Sequence, residues 1–319
     1  MRILFRVDGG ECIGMGHIMR TLVLAKELSK KYDVKYVCLK SDKYIKGIEK
    51  VENDGIEVIK IDEIDEIDCI KRLNGNLIII DKYGVNKNYF EALKERIKVV
   101  YFDDNNDLDF YPVDMIINHN PYGSKLRYNT FKGTKLLLGS RYTIIRQEFR
   151  ENIPITIKKH IENILITLGG SDDFNITEDI IRQLNGLDCN LHVIIGPAFK
   201  YKNKLKGLKN QSVNFYENAN ISKVMKKCDL AVSSCGSTLY ELCFLGIPVI
   251  GLIVANNQKK CGDFMNDVGA IDLSEIKELK DKILKLDYNK RLKMREVEKN
   301  LVDGKGVFRV KEELERYDK

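Results

Sequence analysis

Ile3-Leu4-Phe5-Arg6-Val7 leads into Gly14-Met15-Gly16-His17-Ile18-Met19-Arg20, and the change of pattern between the two segments sets the fold class. An apolar run, glycines, then Met19, Leu22, Val23, Leu24 and Leu28 read as strand, tight loop and amphipathic helix. Glycines permit a sharp turn and let a ligand approach the backbone. The helix start would aim unpaired N–H groups and a positive dipole end into the loop. His17 stands at that mouth, and imidazole is the side chain that titrates nearest neutrality. It is a candidate acid or base, although on spacing alone a hydrogen-bonded structural His fits as well.

The same alternation continues outward. Val34–Leu39, Gly55–Ile61, Leu77–Asp81, Val99–Asp104 and Met115–Asn120 are apolar runs separated by helical or polar stretches, the signature of a doubly wound parallel sheet. Leu77-Ile78-Ile79-Ile80 is apolar throughout, as a central strand buried on both faces must be. In such sheets ligands sit beyond the carboxyl ends of the strands, which places His17, Tyr83, Asp103 and Asn120 on one rim. Asp81, Asp103 and Asp104 serve equally well as helix caps or turn residues. His119 reads as structural, His160 as an exposed linker residue and His192 as a side chain on the sheet.

Near residues 145–160 the pattern becomes polar, with Pro154, and a second α/β run opens at Ile164–Leu168. The expected domains are 1–152 and 153–319, the second carrying a charged helical tail from Lys277 with a last helix over 307–316. Each half begins with a strand and a glycine turn, which suggests two facing domains with a cleft between them. In the second half Ser233-Ser234-Cys235-Gly236-Ser237-Thr238 lies between a buried strand and a helix. Small residues there expose N–H groups, and a helix N-terminus suits pyrophosphate oxygens. Glu241, one turn in, could accept ribose hydroxyls, or simply favour the helix dipole. Gly169-Gly170-Ser171-Asp172 is a second loop of this kind. Neither loop fits the glycine fingerprints of dinucleotide or P-loop sites. The amides of Asn257 and Gln258 follow the last apolar strand and could read sugar hydroxyl or acetamido groups.

Composition narrows the class. The chain has 319 residues, 44% hydrophobic and 31% charged, with a net charge of +6 spread along its length, so a packed two-domain protein is expected. There is no dense basic patch with interleaved aromatics, so nucleic acid is not an expected partner. The 8 Cys residues form no CxxC pair, which reads as reduced thiols with neither disulfides nor zinc. Met1 leads directly into the first strand without the look of a signal peptide. No apolar run reaches the roughly 18 residues of a membrane span. A cytoplasmic protein is expected.

Arg6-x-Asp8, Ile13-Gly14-x-Gly16-His17-x-x-Arg20, Asp81-x-Tyr83-Gly84, Phe102-Asp103-Asp104, Asn118-x-Asn120 and Arg141-Tyr142-x-x-x-Arg146-x-Glu148-Phe149 together resemble the UDP-sugar hydrolase family of pseudaminic acid biosynthesis. The likeness continues through Gly169–Asp172, Ser237-Thr238-x-x-Glu241 and Asn257-Gln258, covering nearly the whole chain. Lys82 stands where some relatives carry His. The resemblance implies a GT-B architecture, with an N-terminal sugar-binding and catalytic domain and a C-terminal UDP-binding domain. It implies cleavage of UDP-2,4-diacetamido-2,4,6-trideoxy-β-L-altropyranose to UDP and free sugar, without metal or cofactor. A monomer is expected. His17 would activate water at the anomeric carbon. Asp8, Gly14, Gly16, Arg20, Tyr83, Asp103, Asn120, Arg146, Asn257 and Gln258 would contact the substrate. Gly170, Ser171, Ser237, Thr238 and Glu241 would hold the nucleotide. The alternatives are a GT-B glycosyltransferase using a UDP-sugar donor and a non-catalytic sugar-nucleotide binding protein.

Overall fold

The structure, a computed structural model, describes residues 1–10, 13–150, 155–208 and 212–318. Cys12 and residues 151–154 of the expected linker lie outside the described residues. The chain divides into two compact units, Met1–Arg146 with Gly304–Lys319, and Gln147–Asp303.

In the first unit the order is β1 (Arg2–Val7), α1 (Gly16–Leu28), β2 (Asp33–Leu39), α2 (Ile45–Asn53), β3 (Glu57–Ile61), α3 (Glu66–Arg72), β4 (Leu77–Asp81), α4 (Lys87–Lys94), β5 (Lys98–Phe102), β6 (Met115–Asn118) and β7 (Lys135–Leu138). The strands form one parallel sheet in the order β3-β2-β1-β4-β5-β6-β7. The order reverses direction between β1 and β4, which makes their carboxyl ends the topological switch point where such sheets open a crevice. All five residues of β4 are buried, as its unbroken apolar run requires. Edge strand β7 was not anticipated, because Lys135-Leu136-Leu137-Leu138 is short and exposed at its start.

The second unit runs α5 (Gln147–Arg150), β8 (Asn163–Thr167), α6 (Ile176–Gln183), β9 (Asn190–Ile195), α7 (Lys202–Lys206), β10 (Val213–Glu217), α8 (Ile221–Met225), β11 (Leu230–Ser234), α9 (Thr238–Leu245), β12 (Val249–Leu252), α10 (Lys259–Asp267), β13 (Ile271–Leu273), α11 (Leu279–Lys285) and α12 (Tyr288–Leu301). Its parallel sheet is ordered β10-β9-β8-β11-β12-β13, with the reversal between β8 and β11. The Gly169–Asp172 and Ser233–Thr238 loops therefore leave neighbouring strands at this sheet's own switch point.

One boundary is corrected. The last helix, α13 (Gly306–Glu315), belongs to the first unit and not to the C-terminal domain. Val307, Val310 and Leu314 form an apolar stripe that enters the same buried cluster as Leu24, Leu28 and Ile144. Burying each such side chain favours docking by about 1.5–3 kcal/mol. Gly306 makes the close approach possible, because a Cβ there would lie 2.1 Å from the Thr143 carbonyl oxygen.

In the second unit α12 packs against α9 and carries a buried carboxyl. Glu298 is fully buried, and among the described residues neither of its carboxylate oxygens has a hydrogen-bond partner. Burial pushes its pKa well above the ordinary range, with Arg295 and Lys299 pulling only partly against this. A folded-state pKa above the unfolded one means that stability is full below the unfolded value and is lost as pH rises through the folded one. Replacing Glu298 by Met, similar in volume and apolar, should raise stability at neutral pH by on the order of 1–3 kcal/mol. The gain should shrink towards acid. Thermal melts of Glu298→Met at neutral and acidic pH test this, and an unchanged or lower melting temperature at neutral pH would contradict it.

Candidate active site

Parallel pairing of β1 with β4 sets Val7 beside Asp81. The chain leaving Val7 turns through Gly10 and Gly14, whose backbone groups bond to each other (Gly10 N–H to Gly14 C=O, 3.1 Å). Gly14 has φ +75°, a left-handed conformation suited to glycine. α1 starts two residues later and carries His17 in its first turn and Arg20 one turn on. Both side chains reach the end of β4.

His17 Nδ1 lies 2.5 Å from Asp81 Oδ1. Arg20 clamps the same carboxylate, Nε to Oδ2 at 2.6 Å and Nη2 to Oδ1 at 2.7 Å. It also grips Asp104 through Nη1 and Nη2, both at 2.9 Å. Arg20 Nη1 further meets His119 Nε2 at 3.1 Å, and since guanidinium only donates, that nitrogen accepts. Tyr83 completes the group. Its hydroxyl donates to Asp104 Oδ2 at 3.3 Å, and its ring meets the His17 ring edge-on, with centroids 4.8 Å apart. Asn120 Nδ2 donates to Asp104 Oδ1 at 2.9 Å, and the Tyr122 hydroxyl donates to the Asp104 carbonyl.

Burial works to raise both carboxyl pKa values, but Arg20 wins. It holds Asp81 well below the carboxylate range, helped by His17, and brings Asp104 down to about 2. Burial, reinforced by Arg20, pushes His119 down to about 4, so this second imidazole is neutral at pH 7. Two carboxylates on one guanidinium leave the cluster one negative charge when both imidazoles are neutral.

Of the expected residues, His17, Arg20, Tyr83 and Asn120 converge here. Asp103 does not join them. Its carboxylate accepts from the Tyr128 hydroxyl at 2.7 Å and from the Asn106 and Asn105 amides, which orders the turn after β5. Asp8 is likewise committed to the fold, accepting from Arg6 Nη1 at 2.6 Å and the Leu39 amide at 2.9 Å. Gly16 is exposed at the start of α1, and Arg146 is the half-buried last residue of the unit's long segment. Asp81 and Asp104, for which the sequence leaves a cap or turn role open, and His119, which reads as structural, hold the cluster together. The signal for Asp81 was present in the sequence, an acid ending a fully apolar strand, but its partner was not.

Lys82 follows Asp81 and points the other way. Its amine bonds to both oxygens of Glu66, at 3.1 and 3.2 Å. Glu66 also accepts from Arg6 Nε and from the Tyr89 hydroxyl. Against the push of burial, Arg6, Tyr89 and Lys82 bring Glu66 down to about 2.

In the second unit Gly170 and Ser171 are exposed after β8. Asp172 caps α6 by accepting from the Ile176 and Thr177 amides, both at 2.8 Å. Ser237 and Thr238 open α9, and Glu241 is buried in its first turn. Asn257 is exposed, whereas Gln258 Oε1 accepts from the Val254 amide at 3.2 Å. Among the described residues no group of three or more His, Cys, Asp or Glu is arranged to hold a metal ion, and no helix is long and apolar enough to cross a membrane.

No family model matches the chain. MJ1062 of Methanocaldococcus jannaschii, an uncharacterized protein, is 33% identical over 299 residues, covering 87% of this chain and 61% of the relative. This chain thus spans less than two thirds of that relative's length. The UDP-2,4-diacetamido-2,4,6-trideoxy-β-L-altropyranose hydrolase of Campylobacter jejuni is 27% identical over 275 residues, covering 84% of this chain and 97% of the relative. Among solved structures, MurG of Acinetobacter baumannii aligns with a TM-score of 0.69 at 15% identity, over 99% of both chains. The calicheamicin glycosyltransferase CalG4 aligns with a TM-score of 0.68 at 14% identity, over 99% of this chain and 97% of the other. The chain therefore has two Rossmann-like units in the manner of the GT-B glycosyltransferases and, over most of its length, a sequence similar to that of the UDP-diacetamido-trideoxy-altropyranose hydrolases.

Proposed function

We propose that the protein hydrolyses UDP-2,4-diacetamido-2,4,6-trideoxy-β-L-altropyranose to UDP and the free sugar, as a monomeric cytoplasmic enzyme of nonulosonic acid formation. The observation that carries this reading is the His17 imidazole, held by Asp81 at the switch point of the first sheet. The similarity to the hydrolase of Campylobacter jejuni supplies the substrate.

In the proposed reaction His17 accepts a proton from water as the water oxygen attacks the anomeric carbon. The bond from that carbon to the diphosphate oxygen breaks, and UDP departs with the electron pair. UDP is a good leaving group once donors neutralise its growing charge, so a single positioned base suffices, worth typically 10²–10⁴-fold. The amides at the start of α9, with Ser237, Thr238, Gly170 and Ser171, are assigned to the pyrophosphate, and Glu241 to the ribose. Tyr83, Asn120, Asn257 and Gln258 are assigned to the sugar. No metal has a part in this scheme.

A second reading follows from the glycosyltransferase name of CalG4. The same site could pass the sugar to an acceptor hydroxyl instead of to water. Product analysis with the diacetamido-trideoxy-altrose substrate, in EDTA and without acceptor, separates the two. UDP and free sugar in equal amounts are the expected outcome, and binding without release would favour transfer.

His17→Asn should lower kcat by about 10²–10⁴-fold while UDP binding, read by calorimetry, persists. Near-normal turnover would remove His17 from the mechanism. Lys82, turned towards Glu66, should be dispensable for the substrate, so Lys82→Met should keep KM within a few-fold of the parent. A rise of about tenfold or more in KM alone would signal lost binding and place the amine at the substrate.

A further inference from the structure

Arg20 and Asp81 invite roles other than the substrate contact and helix cap that sequence reading suggests. Every terminal nitrogen of Arg20 is engaged by protein: Nε by Asp81, Nη1 by Asp104 and His119, Nη2 by Asp81 and Asp104. Asp81 is almost wholly buried, and both of its oxygens are taken by Arg20 and His17. The guanidinium has no donor direction left unspent among these partners. Its planar fork is matched to two carboxylates at once, the arrangement in which arginine binds most rigidly.

The His17 contacts then fix a tautomer. Nδ1 lies 2.5 Å from Asp81 Oδ1 and 3.2 Å from Arg20 Nη2. It cannot accept from Arg20 and donate to Asp81 together. An ionised carboxylate only accepts, so a 2.5 Å contact needs a proton on Nδ1. The longer approach of Nη2 is proximity alone, since that nitrogen already serves two carboxylates. With Nδ1 protonated, Nε2 is the lone-pair nitrogen, and none of the described hydrogen bonds uses it.

We propose that Asp81 is a positioning residue that holds His17 in the Nδ1–H tautomer with Nε2 as the base, and that Arg20 is its clamp and not a substrate ligand. Arg20 keeps Asp81 ionised, so Asp81 orients the ring without itself taking the proton. Asp104, bound to the other side of Arg20, leaves the cluster one positive charge short of neutral. An imidazolium formed on His17 supplies that missing positive charge. Proton abstraction thus brings the cluster to neutrality. The inference rests on the hydrolase reading for the identity of the proton donor, but its geometric core does not.

The test has two arms. ¹⁵N NMR of histidine-labelled protein at neutral pH reads the tautomer directly, with His17 assigned among the four histidines by loss of its signals in His17→Asn. The expected spectrum has a protonated Nδ1 and an unprotonated Nε2. The reverse pattern in the unsubstituted protein overturns the proposal with no folding ambiguity. In the second arm, Asp81→Asn and Arg20→Gln are expected to lower kcat by about 10²–10⁴-fold with KM within a few-fold. Asp81→Asn should also shift His17 towards the other tautomer. A rise in KM for Arg20→Gln with kcat preserved would make Arg20 a substrate ligand and overturn its part. Should the unsubstituted protein release no UDP while His17 shows the expected tautomer, the hydrolase reading fails and the positioning geometry stands.

Discussion

The parallel pairing of β1 with β4 is the constraint on which the candidate site depends. It sets the end of one strand beside the start of the loop that carries His17, and it brings Asp81 to the same level. The sheet reverses its winding direction there, so helices diverge to either side and a crevice opens. Across that crevice a single guanidinium joins residues from three strand ends, Asp81 after the core of β4, Asp104 after β5 and His119 after β6. Two acids so close together, Asp81 buried and Asp104 half-buried, would repel one another and lose hydration. Arg20 offsets both effects and leaves the excess negative charge that a protonated imidazole would meet.

Successive residues at these strand ends point in opposite directions, and this divides their tasks. Asp81 faces α1 and His17, whereas Lys82 faces α3 and α4 and binds Glu66. Asp103 turns to the tyrosines 111 and 128, whereas Asp104 turns to Arg20. Each pair thus has one member devoted to holding the loop and one devoted to the cluster. The second unit repeats the architecture with different chemistry. Its switch-point loops are rich in Gly, Ser and Thr, where the first unit carries charged side chains.

Much of this was legible in the residues. Runs such as Leu77–Ile80 and Leu230–Val232 could only be buried parallel strands, and the glycines at 14, 16, 169 and 170 marked the turns beyond them. The rule that ligands gather at carboxyl ends sets His17, Tyr83 and Asn120 on one rim, and in the structure Tyr83 and Asn120 bond to Asp104 while His17 bonds to Asp81, the two acids sharing Arg20. Asp8 and Asp103 were not separable from their neighbours, because an acid at a strand end caps, braces or binds according to which side of the strand it leaves. That side depends on the exact residue at which the strand stops.

Strand and helix periodicity, turn chemistry and the alternation that makes a doubly wound sheet arise from contacts among near neighbours in the chain, and these the sequence by itself determined. The docking of α13 on the first unit, the pairing of Asp81 with a histidine 64 residues away and the spending of Arg20 on two acids were decided only by the tertiary structure. Their physical reason is common to all three. Each depends on which groups are left close together when the apolar faces have been buried, and sequence distance carries no record of that proximity.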